Sequence, residues 1–170
     1  VYAGQIVSRP AVADLGGERI VFIGAGKTLY ALDAVDGDER WRHELGEAGN
    51  VDEPTEIESS PVVVGDTVIV GYDVPNTPGY RAGLVAFAAT TGELLWDFDP
   101  DAAGGQAGAG TGCVDVWSSP SVDEARGLVF AATGNCPTSP DGWGDHTEAI
   151  FALDEVPDKW KGFIATNAEY

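Results

Sequence analysis

The chain has 170 residues, 44% of them hydrophobic, and carries 28 acidic against 9 basic side chains for a formal net charge of −19. That length and apolar content suit one folded domain with a real core and exclude a disordered segment, while the charge argues against nucleic acid and anionic membrane surfaces as partners. No apolar run approaches the roughly 18 residues needed to span a bilayer, and the opening VYAGQIV lacks both a Met and a basic leader, so the chain is expected to begin inside a longer gene product.

Taken in chain order, the elements form three copies of one unit. The first copy runs VSRPAV (7–12), IVFIGAG (20–26), LYALD (29–33) and RWRHEL (40–45). The second runs SSPVVV (59–64), VIVGYD (68–73), LVAFA (84–88) and LLWDFD (94–99), and the third SSPSVD (118–123), LVFAATG (128–134) and IFALD (150–154). Each opens with a Ser two residues ahead of a Pro: Ser8 and Pro10, Ser59 and Pro61, Ser118 and Pro120. Short β-branched runs between Gly turns, with no helical period, predict an all-β protein. Four strands per unit, recurring about every 50 to 60 residues, is the period of a β-propeller blade. Blades are predicted at about 6–45, 57–99 and 115–162.

Within the first two copies Ala31, Gly37 and Trp41 repeat as Ala86, Gly92 and Trp96 at the same spacing. The glycines suit a positive-φ position in the turn between third and fourth strands, and each Trp is expected to lie as an apolar plate between neighbouring blades. In the third copy, IFALDEVPDKW reaches Trp160 two residues early and lacks the turn Gly, so an altered, shortened or frayed last blade is expected. Three blades cannot close a ring and would leave apolar faces and strand edges open. The chain is therefore read as a partial propeller, either one piece of a larger ring or a body that associates through its open edges.

LYALDAVDGDERW and LVAFAATTGELLW resemble the docking motif of the quinoprotein (PQQ-dependent) alcohol dehydrogenase-like β-propellers, a resemblance that covers nearly the whole chain. The long connections (46–58, 74–83, 100–116 and 135–149) all gather at one end of the blades, where binding sites usually sit. Trp117 and Asn135 stand at that end, where the other copies have Val7 and Glu58, and Lys27 and Val74, so the repeat does not account for them. The segments VWSSPSVD and ATGN are similar to the family stretch in which a Trp forms the floor under planar PQQ and an Asn binds Ca²⁺. The resemblance thus implies PQQ on Trp117 and Ca²⁺ at Asn135, with Thr133 as a further candidate cofactor contact; Arg81, in the long loop, could pair with a carboxylate of such a ligand, although a surface ion pair is the commoner fate of an Arg there. An indole face suits a flat quinone, and an amide oxygen suits a hard cation. The family's glutamate ligand is missing: its slot holds Thr77, and Asp73 or Asn76 would have to substitute. The catalytic aspartate is expected beyond Tyr170. The plainer alternative for Trp117 and Asn135 is a structural indole and a turn amide.

With DEARG (123–127) as a hairpin turn, facing residues sum to about 249 or 250. The 249 register pairs Cys113 with Cys136, close enough for a disulfide and hence an extracytoplasmic location, periplasmic or secreted. The 250 register instead puts Trp117, Thr133 and Asn135 on one face, and a bulge near the hairpin mouth would reconcile the two. Other signals fail. Gly26-Lys27-Thr28 lacks the P-loop's earlier Gly, since Val21 stands there. DAVDGDER lacks EF-hand spacing, and neither His43 nor His146 has a visible Ser or Cys partner. Two functions stay open: a PQQ-dependent dehydrogenase acting on a small-molecule alcohol or sugar, and a non-catalytic propeller that binds a protein partner, similar to the lipoprotein scaffold of outer-membrane assembly.

Overall fold

The structure, a computed structural model, describes residues 5–45, 56–73, 82–100, 115–134, 149–154 and the backbone of 162–166. Its twelve strands form three four-stranded antiparallel sheets, each a simple meander. The first sheet is β1 (Ala11–Leu15), β2 (Glu18–Ala25), β3 (Thr28–Asp33) and β4 (Glu39–Glu44). The second is β5 (Val62–Val64), β6 (Thr67–Tyr72), β7 (Gly83–Ala88) and β8 (Leu94–Phe98); the third is β9 (Ser121–Asp123), β10 (Leu128–Ala132), β11 (Ala149–Asp154) and β12 (Gly162–Thr166). These are the blades expected from the repeat.

Burial explains the strand sequences. Val68, Val70, Tyr72, Val85 and Phe87 of the middle blade join a core with Ile20, Phe22 and Leu29 of the first. The alternate residues Ile69, Leu84 and Ala86 join a second core with Val129, Ala131 and Leu153 of the third. A sheet covered on both faces needs an unbroken apolar run instead of alternation, which is why GLVAFA reads as it does.

Trp41 is the plate between the first two blades. Its ring lies 5.7 Å from Phe22 and 5.9 Å from Phe87, and its Nε1–H donates to the Ala89 carbonyl at 2.9 Å. Beside it, His43 stacks on Phe87 at 4.5 Å and donates from Nε2 to the Gly92 carbonyl at 2.6 Å. The Ala that precedes each motif turn marks a bulge: Ala31 pairs with Trp41 but Leu32 with Glu39, and Ala86 with Trp96 but Phe87 with Leu94. In the third blade the shift comes earlier, between Ile150 and Phe151, and Ala152 faces Gly162. This blade is altered, as its off-register Trp160 suggested, yet it keeps a fourth strand.

The hairpin registers need correcting. Leu128 faces Asp123 and Val129 faces Val122, a sum of 251 in place of 249 or 250. Asp123 ends its strand and accepts the Arg126 N–H on its carboxylate at 3.2 Å, so the loop is Glu124 to Gly127. Toward the mouth the relation slips: Gly134 N–H donates to the Asp115 carbonyl at 2.8 Å, a sum of 249. Every blade makes the same two-residue slip, from Ala11 facing Phe22 to Gln5 bonding Gly26, and from Val62 facing Ile69 to Glu56 facing Asp73. The slip spans the Ser-x-Pro unit. Proline has no N–H to waste there, and in the second and third blades the Ser hydroxyl fills the gap: Ser59 Oγ accepts from Gly71 N–H at 3.0 Å and Ser118 Oγ donates to the Ala132 carbonyl at 3.1 Å.

Candidate functional site

Antiparallel order places the ends of β2, β4, β6, β8 and β10 together with the starts of β3, β7 and β11, so one end of the body collects every long connection. At that end the blades are locked by their lead-in segments. Ile57 presses on Gly24 so closely that a Cβ at Gly24 would lie 2.5 Å from Ile57 Cγ2, and Ile57 N–H donates to the Gly26 carbonyl at 2.8 Å. Val116 presses on Gly71 in the same way, leaving 2.2 Å between an added Cβ and the Val116 carbonyl oxygen. These two glycines are needed for room.

Trp117 follows Val116, and since side chains alternate along an extended chain it is turned away from the middle blade. It is 52% exposed, although it is the largest type of apolar side chain. Its indole edge rests on Gly134, where a Cβ would come within 2.5 Å of Nε1 and 3.1 Å of Cδ1. Bonds on both sides hold the backbone beneath it, Gly134 N–H to the Asp115 carbonyl and Ser118 Oγ to the Ala132 carbonyl. The result is a fixed, solvent-facing aromatic plate on a glycine cradle, which fits a flat conjugated ring.

Thr133 does not share that surface. It is buried, and its hydroxyl accepts the Ala149 N–H at 3.0 Å while its own N–H donates to the Ala149 carbonyl at 2.9 Å. The expected common face with Trp117 is lost because the 250 relation holds only at Ser118 and Ala132, within the two-residue slip. Asp73 lies at the end of β6, its N–H bonded to the Glu56 carbonyl at 2.9 Å. It stands two residues beyond the Gly71 that Val116 covers, and so at the seam that carries Trp117. Two acids that sequence reasoning did not assign to the site are also here: buried Asp115 and exposed Glu58. Their signal was present in the repeat, since Glu58 matches Trp117 and Glu56 matches Asp115. Among the described residues no cluster of three or more His, Cys, Asp or Glu could hold a metal ion. Asn76, Thr77, Arg81, Cys113, Asn135, Cys136 and His146 lie outside the described residues.

The charged groups with shifted acidity belong to other surfaces. The Arg40 guanidinium bonds Asp33 at 2.6 Å and also Glu18, and with the Val35 N–H it holds the Asp33 carboxyl below the usual range. Hydrogen bonding to Arg19, Lys27 and Arg126 lowers Asp14, Glu44 and Asp123 likewise. A cavity of about 310 Å³ opens between the first two blades beside His43, Tyr72, Phe87 and Asp97, away from Trp117.

Comparison with known proteins adds three findings. Residues 5–152 match the family described as "PQQ: Glucose/ethanol/alcohol dehydrogenase, beta-propeller domain". A polyvinylalcohol dehydrogenase from a Pseudomonas species is 28% identical over 167 residues, covering 89% of this chain and 26% of the relative. Among solved structures, the quinohemoprotein alcohol dehydrogenase of Comamonas testosteroni superposes with a TM-score of 0.69 at 27% identity, over 93% of this chain and 27% of that one. BamB from Moraxella catarrhalis shares the fold with a TM-score of 0.60 at 18% identity, over 96% of this chain and 41% of that one. This chain spans about a quarter of the length of the curated relatives it matches.

Proposed function

The chain belongs to the PQQ family of β-propeller domains of glucose, ethanol and alcohol dehydrogenases, and from that membership we propose that it is part of a quinone-dependent dehydrogenase that oxidises an alcohol. The observation that carries the reading is Trp117, half exposed with its indole edge resting on Gly134 at the loop-bearing end. Nothing in blade packing requires a large apolar ring to face solvent there, whereas a planar cofactor would cover it. PQQ, when bound, supplies the electron sink for the alcohol's oxidation. This chain's residues position it: Trp117 provides the floor, Gly134 the clearance, and the bonds at Asp115 and Ser118 the rigidity.

For a cation beside the quinone we propose Asn135, Asn76 and Asp73, oxygen donors suited to Ca²⁺, with Arg81 as a partner for a cofactor carboxylate. The proton-accepting base and the electron acceptor lie elsewhere in the longer protein on this reading. The likeness to a polyvinylalcohol dehydrogenase supports a secondary-alcohol substrate. The 249 relation seen at Asp115 and Gly134 is the register that the proposed Cys113–Cys136 disulfide needs, which supports that disulfide and an extracytoplasmic setting. A second reading, a non-catalytic scaffold that binds a protein partner or associates through its open edges, is supported by the exposed Val12 and Ile150 on the outer blades and by the fold shared with BamB.

A titration separates them. PQQ with Ca²⁺ should quench the indole fluorescence of the full-length protein at micromolar concentration. Trp117→Ala, which loses an exposed side chain and little stability, should abolish the effect, and Gly134→Ala should weaken it by displacing the indole. Absence of quenching in the unaltered protein would rule out the dehydrogenase reading.

A further inference from the structure

The lead-in segments of the three blades are superposable. The carbonyls of Gln5, Glu56 and Asp115 accept from Gly26, Asp73 and Gly134 at 2.8, 2.9 and 2.8 Å. Two residues on stand Val7, Glu58 and Trp117, all three exposed. Two residues further, the strands are tied to one another: Arg9 N–H donates to Ser60 Oγ at 3.0 Å, and Ser60 N–H donates to Ser119 Oγ at 3.0 Å. Val7, Glu58 and Trp117 are thus matching positions on neighbouring lead-ins at the loop-bearing end, two residues before the ties that join those lead-ins.

Alternation fixes which way Glu58 turns. Ile57 is buried against Gly24 of the first blade, so Glu58 is turned the other way, toward the third blade, whose own lead-in carries Trp117. An exposed carboxylate therefore stands on the lead-in tied to the one that carries Trp117. The rim is apolar, anionic and aromatic in turn.

We propose that Glu58 is a specificity-determining residue of the Trp117 site, one that sets the charge a planar ligand can present along that edge. The inference rests on the cofactor reading given above. PQQ carries three carboxylates, and any of them placed on the Glu58 side meets a like charge, which water and salt screen only in part. Glu58 thus weakens the binding of an anionic quinone and favours an edge that donates hydrogen bonds or is uncharged. Glu58→Gln keeps the size and hydrogen-bonding reach of the side chain and removes only the charge.

The test is PQQ titration of the full-length protein, with Ca²⁺ present, followed by indole quenching for the unaltered protein, Glu58→Gln, and Glu93→Gln as a control. Glu93 is exposed at the opposite, tight-turn end, so its substitution makes the same change in net charge. Glu58→Gln should bind PQQ about tenfold more tightly at low ionic strength, with the advantage falling to about threefold or less at 0.5 M salt as the Debye length shrinks to a few ångströms. The uncharged trimethyl ester of PQQ should bind both variants and the unaltered protein alike. Equal PQQ affinity for Glu58→Gln and Glu93→Gln would overturn the assignment while leaving the cofactor reading intact. Quenching in none of the three proteins would overturn both.

Discussion

Gly37 and Gly92 occupy the same place in successive motif turns, with φ of +80° and +74°, but only one is covered by a neighbouring blade. A Cβ at Gly37 would meet nothing within 4 Å, whereas at Gly92 it would lie 2.8 Å from both Cγ and Cδ2 of Trp41. Either substitution by Ala pays the left-handed backbone penalty, about 1–2 kcal/mol. Gly92→Ala must also push aside an indole that is bonded to Ala89 and wedged against Phe22 and Phe87, an overpacking cost of about 1–3 kcal/mol. In the 170-residue chain Gly37→Ala should therefore cost about 1–2 kcal/mol and Gly92→Ala about 2–5. At about 2–4 °C per kcal/mol for a chain of this size, the two should differ in melting temperature by several degrees. Thermal and urea unfolding followed by far-UV circular dichroism would measure both. Trp41→Ala in the Gly92→Ala background should remove the clash, so the pair should cost less than the sum of the single changes. Equal losses for the two glycines, or strict additivity with Trp41→Ala, would refute the docking role of Trp41.

Ser59→Ala should cost about 1–3 kcal/mol, because it leaves the buried Gly71 N–H without its acceptor; Ser118→Ala, at a half-buried donor, should cost less, and a urea midpoint for Ser59→Ala within error of the unaltered chain would count against the bulge-filling role. Acid should destabilise the first blade: the carboxyls of Asp33, Asp14 and Glu44 are lowered in the folded state, so their contribution is complete above the ordinary carboxylate range of about 4 and is lost as pH falls through the lowered values. Arg40→Gln should flatten that decline, and salt should shrink it, more at exposed Asp14 and Glu44 than at partly buried Asp33; an unchanged pH profile in Arg40→Gln would show that the Asp33 pairing does not contribute.

The repeat was legible because it is a local, periodic requirement. Apolar runs, turn glycines and the Ala-to-Gly-to-Trp spacing are each dictated by one blade and its immediate neighbour, so the plate role of Trp41 and every strand but the fourth of the last blade followed from sequence. Trp117 could be singled out for the opposite reason, since it breaks the repeat. The sequence called for a bulge near the hairpin mouth but did not disclose that it is a two-residue slip across Ser-x-Pro in every blade, because a bulge is a property of the pairing between strands and leaves no mark on the alternation of either strand alone. From that slip follow the 251 pairing at the hairpin tip and the burial of Thr133 away from Trp117. Only the tertiary structure decided that Gly134 lies under the indole edge and that Ile57 closes on Gly24 and leaves Glu58 exposed, since both depend on which strand of which blade comes to rest against the other.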